Sequence, residues 1–356
     1  MKMRAAQMYG YNEPWRLEEI DVPEVGRDEV LVKVAAAGIC RSDFQLMQGY
    51  FRDPFPLDFP VTPGHEVSGR IAALGSNVPE SAGLSENALV VVDANWGDGL
   101  CRQCHEGNEQ LCQDGRWAGF GPPGGFAEYM PVPYRHVIAV PDDPDVKPET
   151  LAPLTDAGLT PYRGVKKLQA AGKLGAGRTV VINGIGGLGT YAVQYARLLG
   201  AGATVVGFAR SDEKLAVARE HGAHHTVNTR GKASEDVSAE LENLTGRTDV
   251  DAVLDCVGSL ESLTLAASLL GTEGALASVG LMGQQVDLPL FPFVSGEKSY
   301  FGSFWGNHND LTEVLSLAAG GLIKHTITRV KLNDINDTLQ ALGRGDIVGR
   351  AVIVFD

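Results

Sequence analysis

Three of the chain's five cysteines lie close together, at Cys101, Cys104 and Cys112. The N-terminal residues Met1-Lys2-Met3-Arg4 do not begin an apolar stretch of the kind that directs export, so we expect a cytoplasmic, reducing location. In that setting an odd number of crowded cysteines favours a metal site over disulfides. A Cys-x-x-Cys redox site is the weaker interpretation, because Cys101 does not open a thioredoxin-like helix.

A glycine-rich turn at Gly184-Ile185-Gly186-Gly187-Leu188-Gly189 follows the apolar run 179–183 and precedes a predicted helix. Gly184 and Gly186 allow the backbone to turn tightly and approach a pyrophosphate, and Gly189 allows close helix packing. The helix N-terminus attracts negative charge. In this position the motif, including Gly187 and Leu188, predicts dinucleotide binding; the alternative is a plain strand-to-helix turn.

The residues that follow the next predicted strand, 204–208, bear on whether the chain binds NAD or NADP. An NAD-binding protein carries Asp or Glu there to accept hydrogen bonds from the ribose, but this chain has Ala209. Arg210 and Ser211 offer a guanidinium and a hydroxyl, which suit the extra phosphate of NADP. The sequence therefore favours NADP, although an exposed arginine after a strand is often only solvated.

The pattern of predicted secondary structure changes at about residue 150. Up to about residue 150, short β-rich runs such as 29–35, 68–73 and 88–93 alternate with Pro and Gly, which is typical of a mostly-β barrel. Beyond residue 151, strands alternate with helices, which predicts a parallel, doubly wound sheet. The predicted helices are 159–168, 189–199, 212–221 and 260–269, and the predicted strands are 179–183, 204–208, 225–227, 250–256, 274–279 and 349–355.

Composition narrows the function classes. Apolar residues make up 44% of the 356 residues, as in globular proteins, and no stretch predicts a membrane span. The formal net charge of -14, without a Lys/Arg cluster, argues against a nucleic-acid partner. The chain is long enough for two domains.

Two further motifs carry a family resemblance. Gly38-Ile39-Cys40-Arg41-Ser42-Asp43 and Gly64-His65-Glu66-Val67-Ser68-Gly69, followed by the glycine turn, resemble the zinc-dependent alcohol dehydrogenases of the medium-chain dehydrogenase/reductase superfamily. The resemblance covers essentially the whole chain. It implies an α/β two-domain fold, with a GroES-like catalytic domain at 1–152 to which 297–356 return and a Rossmann domain at 153–296.

The resemblance also implies a catalytic zinc site. Cys40, His65 and Asp156 correspond to its three protein ligands, and a thiolate, an imidazole and a carboxylate are each acceptable to zinc. Glu66 resembles a transient fourth ligand of the family, and Asp43 is expected to brace the ring of His65.

A second zinc is implied for the cysteine-rich segment, which resembles the family's structural-zinc loop of four cysteines. Here the first cysteine is replaced, so that the set is Asp98, Cys101, Cys104 and Cys112. A hard carboxylate among soft thiolates is expected to bind zinc less tightly, and a metal-free loop is the alternative.

The implied reaction is reversible hydride transfer between a small alcohol and NAD(P), with zinc stabilising the alkoxide and Ser42 accepting its proton. Gln45 stands where some relatives place a relaying histidine. Arg41 and Arg350 resemble residues that contact the cofactor pyrophosphate. The candidates for an apolar substrate pocket are Phe44, Trp96, Trp117, Leu281 and Trp305, each of which could instead be core.

Three alternatives stay open at this point. A polyol or sugar dehydrogenase shares the scaffold, and a zinc-free quinone reductase would lack the Cys40, His65 and Asp156 set. A dinucleotide-binding protein that has lost catalysis is the third alternative, against which the presence of Ser42 speaks. Relatives form dimers or tetramers, so a homodimer or homotetramer is expected by analogy.

Overall fold

A computed structural model describes residues 1–143 and 145–355 of the chain, which folds into two compact units. The first unit comprises Met1–Ala157, Asn307–Ser316 and Ile327–Asp356, and the second unit comprises Gly158–Gly306 and Leu317–Thr326. Among the described residues no helix is long and apolar enough to cross a membrane.

Strands and helices are numbered in chain order. The strands are β1 (Lys2–Gln7), β2 (Arg16–Asp21), β3 (Glu29–Ile39), β4 (Glu66–Leu74), β5 (Leu89–Val92), β6 (Asn95–Trp96), β7 (Arg116–Trp117), β8 (Tyr129–Pro133), β9 (Val137–Ala139), β10 (Thr179–Asn183), β11 (Thr204–Ala209), β12 (His225–Asn228), β13 (Val250–Asp255), β14 (Leu270–Ser278), β15 (Ser299–Gly302), β16 (Ile327–Val330) and β17 (Arg350–Val354). The α-helices are α1 (Arg41–Met47), α2 (Arg102–His105), α3 (Pro148–Leu151), α4 (Leu159–Ala170), α5 (Gly187–Leu199), α6 (Asp212–Glu220), α7 (Ser234–Thr245), α8 (Leu260–Leu269), α9 (Leu290–Ser295), α10 (His308–Ala319) and α11 (Ile335–Arg344).

The first unit is built on a sheet with the strand order β16-β17-β3-β4-β5-β9, to which β8 adds by pairing with β3. The pairs are antiparallel except for β16 and β17. Strand β3 is rich in valine and alanine and is buried over most of its length, as a central strand should be. Gly69 allows β4 to approach it, since a Cβ there would lie 2.2 Å from the carbonyl oxygen of Lys33.

The second unit contains a six-stranded parallel sheet with the order β12-β11-β10-β13-β14-β15. This is the 3-2-1-4-5-6 order of a dinucleotide-binding fold. One face packs its apolar side chains against α7 and α8 in a core that includes Val181, Phe208, Leu241, Leu263 and Leu276. The predicted α/β two-domain fold, with a doubly wound parallel sheet in the second unit, is thus confirmed.

Several element bounds differ from the predictions. Strand β10 and helix α8 have their predicted bounds, whereas α5 starts two residues early, at Gly187, and α7 was not predicted. Helix α7, Ser234–Thr245, buries only Val237 and Leu241 fully, so its apolar periodicity is weak. The division at Ala157/Gly158 lies a few residues beyond the predicted 152/153.

The segment 297–356, which the family resemblance places with the first domain, contributes to both units. Residues up to Gly306 belong to the second unit because β15 pairs in parallel with β14 and extends that sheet. Leu317–Thr326 also belong to the second unit, while β16, α11 and β17 return to the first. The strands and helices in this region are short and interrupted by glycine. The sequence pattern therefore does not show that the chain passes back and forth between the two units.

Candidate active site

Four side chains with metal-binding atoms converge in the first unit: Cys40, His65, Glu66 and Asp156. One ligand atom of each lies within 4.8 Å of those of the others, and all four residues are buried. Cys40 lies at the N-terminus of α1, and His65 and Glu66 lie at the start of β4. Asp156 follows the 3-10 turn Ala152–Thr155. The fold therefore brings the three predicted zinc ligands and Glu66 to one place.

Asp43 orients the imidazole of His65. Its Oδ1 lies 3.3 Å from His65 Nδ1, and its Oδ2 accepts a hydrogen bond of 2.7 Å from the backbone N–H of Cys40. The other ring nitrogen, Nε2, lies 3.4 Å from Asp156 Oδ2 and 3.4 Å from Ser42 Oγ. Asp43 thus holds one side of the ring, while the second nitrogen faces the carboxylate and the serine hydroxyl.

The cluster attracts positive charge. Burial lowers the pKa of His65, but the charge of Asp43 and the contacts with Asp156 and Cys40 outweigh burial, so that the pKa is raised well above its ordinary value. Sulfur, nitrogen and carboxylate oxygen are the donors that zinc takes in proteins. The residues fit a divalent zinc ion on this ground.

Glu66 adds a second, independent sign of a cation. Its Oε1 accepts a hydrogen bond of 3.1 Å from the N–H of Ala157 and pairs with Arg350 Nη2 at 3.1 Å, whereas its buried Oε2 has no hydrogen-bond partner. Burial and, less strongly, the charge of Asp156 raise the pKa of Glu66 to about 8, against the opposing charge of Arg350. A Cβ at Gly38 would lie 1.8 Å from Oε2, so only glycine leaves room for this carboxylate.

A second cluster, the loop cluster of Asp98, Cys101, Cys104 and Cys112, also brings one ligand atom from each residue within 4.8 Å of the others. Asp98 Oδ1 accepts hydrogen bonds from the N–H groups of Leu100, at 2.8 Å, and Cys101, at 3.1 Å, which lower its pKa. The sulfurs of Cys101 and Cys104 lie 3.6 Å apart, and both residues are free thiols. Three thiols and one carboxylate fit zinc in a closed, structural site.

The glycine turn of the second unit leaves open space where a phosphate group could lie. Gly184 has a φ of +95°, which favours glycine, and Gly186 is the residue before α5. A Cβ at Gly189 would lie 2.0 Å from the carbonyl oxygen of Gly184, whereas one at Gly186 would meet nothing within 4 Å. The turn followed by the N-terminus of α5, at Gly187 and Leu188, fits a pyrophosphate.

Comparisons with known proteins agree with this architecture. Residues 26–142 match the family model described as the alcohol dehydrogenase GroES-like domain, and residues 187–320 match that of the zinc-binding dehydrogenases. An NAD-dependent alcohol dehydrogenase of Sulfurisphaera tokodaii is 34% identical, over 99% of this chain and 100% of that protein. The chain belongs to the zinc-type alcohol dehydrogenases of the medium-chain dehydrogenase/reductase superfamily. It is therefore an oxidoreductase that uses zinc and a nicotinamide cofactor.

Two further relatives of the dehydrogenase show how wide the family is. The NADP(+)-dependent D-arabinose 1-dehydrogenase of Saccharolobus solfataricus is 34% identical, over 99% of this chain and 98% of that protein. The crystal structure of the alcohol dehydrogenase from Aeropyrum pernix has a TM-score of 0.91 and 37% identity, covering 99% of this chain and 100% of that chain.

A group of aromatic rings extends from His65 in this dehydrogenase, and Phe120 is the ring that contacts the imidazole. The ring centroid of Phe120 lies 5.5 Å from that of His65, 5.5 Å from that of Phe51 and 5.9 Å from that of Trp117. Phe55 lies 4.1 Å from Trp117. Trp117 was a predicted pocket residue, whereas the three phenylalanines were missed. The glycines on both sides of Phe120, with φ of +77° and +118°, were the available signal of a special backbone there.

The other predicted pocket residues are dispersed. Phe44 packs on Gly343, where a Cβ would lie 2.6 Å from the ring. Trp96 is buried and donates a hydrogen bond of 3.0 Å to the carbonyl oxygen of Asp93. Leu281, half exposed, and Trp305, buried with a φ of +42°, belong to the second unit. Their contribution to a substrate pocket stays a prediction.

The basic residues that were predicted to contact cofactor have different surroundings. Arg41 donates hydrogen bonds to the carbonyl oxygens of Leu342, at 3.0 Å, and Gly343, at 3.4 Å. Arg350 is buried, and it donates to the carbonyl oxygen of Ile39 at 3.2 Å besides pairing with Glu66. Arg210 is exposed after β11, next to Ser211 at the start of α6. Pyrophosphate contacts of Arg41 and Arg350 stay predictions.

Proposed function

We propose that this dehydrogenase interconverts small, largely apolar alcohols and the matching ketones or aldehydes at the cluster of Cys40, His65 and Asp156. The observation that carries the proposal is the convergence of a thiol, an imidazole and a carboxylate within 4.8 Å in a buried site. These three residues would hold the zinc, and a set of three protein ligands would leave a further position for substrate. When bound, zinc supplies a Lewis acid for the substrate oxygen, and the nicotinamide accepts or returns the hydride.

Ser42 handles the proton of the reaction. Its Oγ lies 3.4 Å from His65 Nε2, on the side of the ring that faces the ligand cluster, and the side chain is half-buried. In the oxidation direction Oγ would accept the proton of the substrate hydroxyl as its own hydroxyl proton leaves toward solvent, and in reduction both transfers would run in reverse. Asp43 is a positioning residue, because it acts through His65 Nδ1 at 3.3 Å.

The aromatic rings beside His65 argue for an apolar substrate. Phe120, Phe51 and Trp117 offer ring faces and edges rather than an array of hydrogen-bonding groups. A sugar needs several hydrogen-bond partners in its pocket, whereas an apolar alcohol gains from burial against such rings. One relative acts on D-arabinose by its name, so sugar oxidation is the competing function.

A substrate panel separates these two functions. We expect kcat/KM for benzyl alcohol and 2-propanol to exceed that for D-arabinose, and we expect Phe120→Ala to narrow that difference. Ile20→Ala, at a half-buried apolar residue of β2 in the same unit, is the control variant. A higher kcat/KM for D-arabinose would replace our proposal with a sugar dehydrogenase.

For the cofactor we propose a preference for NADP over NAD. Strand β11 ends at the buried Ala209, so this position supplies no carboxylate, and the exposed Arg210 follows it beside Ser211. A guanidinium pairs well with the 2′-phosphate of NADP, whereas a carboxylate at this position would repel that phosphate. The relatives reported above include one named for NAD and one named for NADP, so the choice rests on these residues.

The test is the ratio of kcat/KM for NADP to that for NAD. Arg210→Asp should lower this ratio by about tenfold or more, since a charge-assisted contact contributes roughly 1.5–3 kcal/mol. Arg219→Asp, at an exposed position of α6, should leave the ratio unchanged. An equal ratio in wild type and Arg210→Asp would remove the assignment.

We also propose a homo-oligomer, a dimer or tetramer, formed through the second unit. Strand β15 is the terminal strand of the parallel sheet, and Leu290, Phe291 and Val294 of α9 are 77%, 79% and 68% exposed. Large exposed apolar groups near an open sheet edge are typical of an interface. Light scattering should give a mass of two or four chains, and Phe291→Asp should lower that mass; a monomeric wild type would contradict the proposal.

A further inference from the structure

A third group of potential metal ligands lies in the first unit. It is separate from the catalytic cluster of Cys40, His65, Glu66 and Asp156 and from the loop cluster. One ligand atom each of Asp93, Glu109 and His136 lies within 4.8 Å of those of the others. Asp93 follows β5, Glu109 begins the 3-10 turn Glu109–Leu111, and His136 ends the 3-10 turn that precedes β9. Neither the reaction nor the loop cluster uses these three side chains.

The imidazole of His136 carries the argument. Its side chain is only 5% exposed, and its Nδ1 has no hydrogen-bond partner, although Glu109 Oε2 lies 4.0 Å away. Burial and the charge of Arg135 lower the pKa of the ring to about 4, against a backbone hydrogen bond at Gly97 that raises it, so the imidazole is neutral near pH 7. A neutral imidazole has one nitrogen that can bind a metal, and the unpartnered Nδ1 is the ring atom that lies toward Glu109.

The carboxylate of Asp93 is the second buried group of this cluster. It is 2% exposed, and its Oδ1 accepts hydrogen bonds from the N–H of Asn95, at 3.1 Å, and from Asn95 Nδ2, at 3.4 Å. Burial and, less strongly, the charge of Glu109 raise the pKa of Asp93 to about 7, against the hydrogen bonds from Asn95, which lower it. Two carboxylates and an imidazole nitrogen without a hydrogen-bond partner thus lie within 4.8 Å of one another.

We propose that Asp93, Glu109 and His136 bind a third divalent cation of the zinc type. One imidazole nitrogen and two carboxylates form a donor set that zinc accepts, and a cation would give His136 Nδ1 a partner and offset the charge of the carboxylates. The side chain of Glu109 is 33% exposed, which gives the ion a route from solvent. The ion would tie the end of β5 and the start of β9 to the segment that carries Glu109, so its role is structural.

Cobalt substitution distinguishes this site from the two thiolate-containing clusters. Co²⁺ bound to a cysteine thiolate has a strong charge-transfer absorption, whereas Co²⁺ held by nitrogen and oxygen has only weak ligand-field bands. We expect chelator-stripped enzyme to bind one further equivalent of Co²⁺ per chain after the charge-transfer absorption is saturated. We also expect the thermal midpoint to rise with that last equivalent.

Variants locate the extra ion. His136→Gln and Asp93→Asn should each lose the thiolate-free equivalent and the rise in midpoint that accompanies it, while the charge-transfer absorption keeps its wild-type intensity. Asp58→Asn, which neutralises an exposed carboxylate of the same unit, should retain the extra equivalent. Circular dichroism checks that each variant is folded.

Two results would overturn the proposal. The first is a wild-type enzyme that takes up no cobalt beyond saturation of the thiolate absorption, which means that a proton on Asp93 occupies the cluster instead of a metal. The second is a further equivalent that persists in both His136→Gln and Asp93→Asn. If either variant fails to fold, the wild-type count alone decides.

Discussion

The catalytic cluster and the loop cluster use similar atoms in opposite settings. Cys40, His65, Glu66 and Asp156 are buried and come from distant stretches of the chain, whereas the loop cluster lies wholly between Asp98 and Cys112 and is partly exposed. The catalytic cluster also has three predicted ligands where the loop cluster has four. Zinc sites that keep an open position serve chemistry, and closed four-ligand sites serve structure.

The residues that hold the ligands in place also differ between the two clusters, since those of the catalytic cluster come from distant parts of the chain. In the catalytic cluster, Asp43 braces His65, and Arg350 pairs with Glu66 from a different strand. In the loop cluster, Asp98 is held by the N–H groups of Leu100 and Cys101, its own neighbours along the chain. Changes in the first cluster should therefore affect turnover, and changes in the second should affect stability.

The strongest test of this contrast removes a ligand from the catalytic cluster. Cys40→Ser or His65→Ala should lower kcat by about 1000-fold or more, because the metal contributes several kcal/mol to the reaction. Zinc analysis should show the loss of one ion per chain. Cofactor binding, measured by fluorescence, should change little, since the glycine turn belongs to the other unit.

Cys256→Ser is the matched control, because this cysteine lies outside both clusters. It should retain wild-type turnover and metal content. Substantial turnover in Cys40→Ser would mean that the catalytic and loop clusters have been assigned the wrong roles.

Removing the proton acceptor should have the next largest effect. Ser42→Ala should slow hydride transfer by about 100- to 10 000-fold, the usual contribution of a positioned base. Because the ligand set remains intact, the zinc content should stay at the wild-type value. Stopped-flow measurement of cofactor reduction gives the rate.

Ser42→Thr keeps a hydroxyl at this position and should restore most of the rate. If alanine and threonine slow the reaction equally, Ser42 has a packing role and another group takes the proton.

The two clusters were not equally predictable from the sequence. The cysteines of the loop cluster are close enough in sequence that their spacing alone indicates a metal site. The catalytic ligands are isolated residues, and only a family resemblance connected them. In the second unit, the strand, turn and helix around Gly184 could be predicted because periodicity and the glycine motif agree locally.

What could not be predicted depends on tertiary packing. Phe120 lies beside His65 only because the 119–126 segment folds back, with Gly119 approaching the backbone of Gly64. The pairing of Arg350 with Glu66 joins β17 to β4 across the sheet, which no local pattern encodes. The assignment of β15 to the parallel sheet likewise depends on pairing with β14.

A ligand change in the loop cluster should affect stability without much effect on catalysis. Cys104→Ser should release one zinc and lower the free energy of unfolding by about 3 kcal/mol, the value for a ligand near a few hundred times its Kd. For a unit of this size the thermal midpoint falls by roughly 6–12 °C. At a temperature where the variant is folded, kcat/KM should stay within about twofold of wild type. A large loss of kcat/KM would show that the loop cluster takes part in turnover.

The smallest expected effect comes from restoring four cysteines in the loop cluster. Asp98→Cys replaces a hard oxygen donor with a soft thiolate, which should slow zinc release to a chelator by about tenfold, equivalent to about 1.4 kcal/mol. The gain is limited, because Asp98 Oδ1 also accepts hydrogen bonds from Leu100 and Cys101, and sulfur is a weaker acceptor. Faster release in Asp98→Cys would mean that these two hydrogen bonds outweigh the zinc contact. In that case the hydrogen bonds of Asp98 would fix the conformation of the loop cluster before any metal binds.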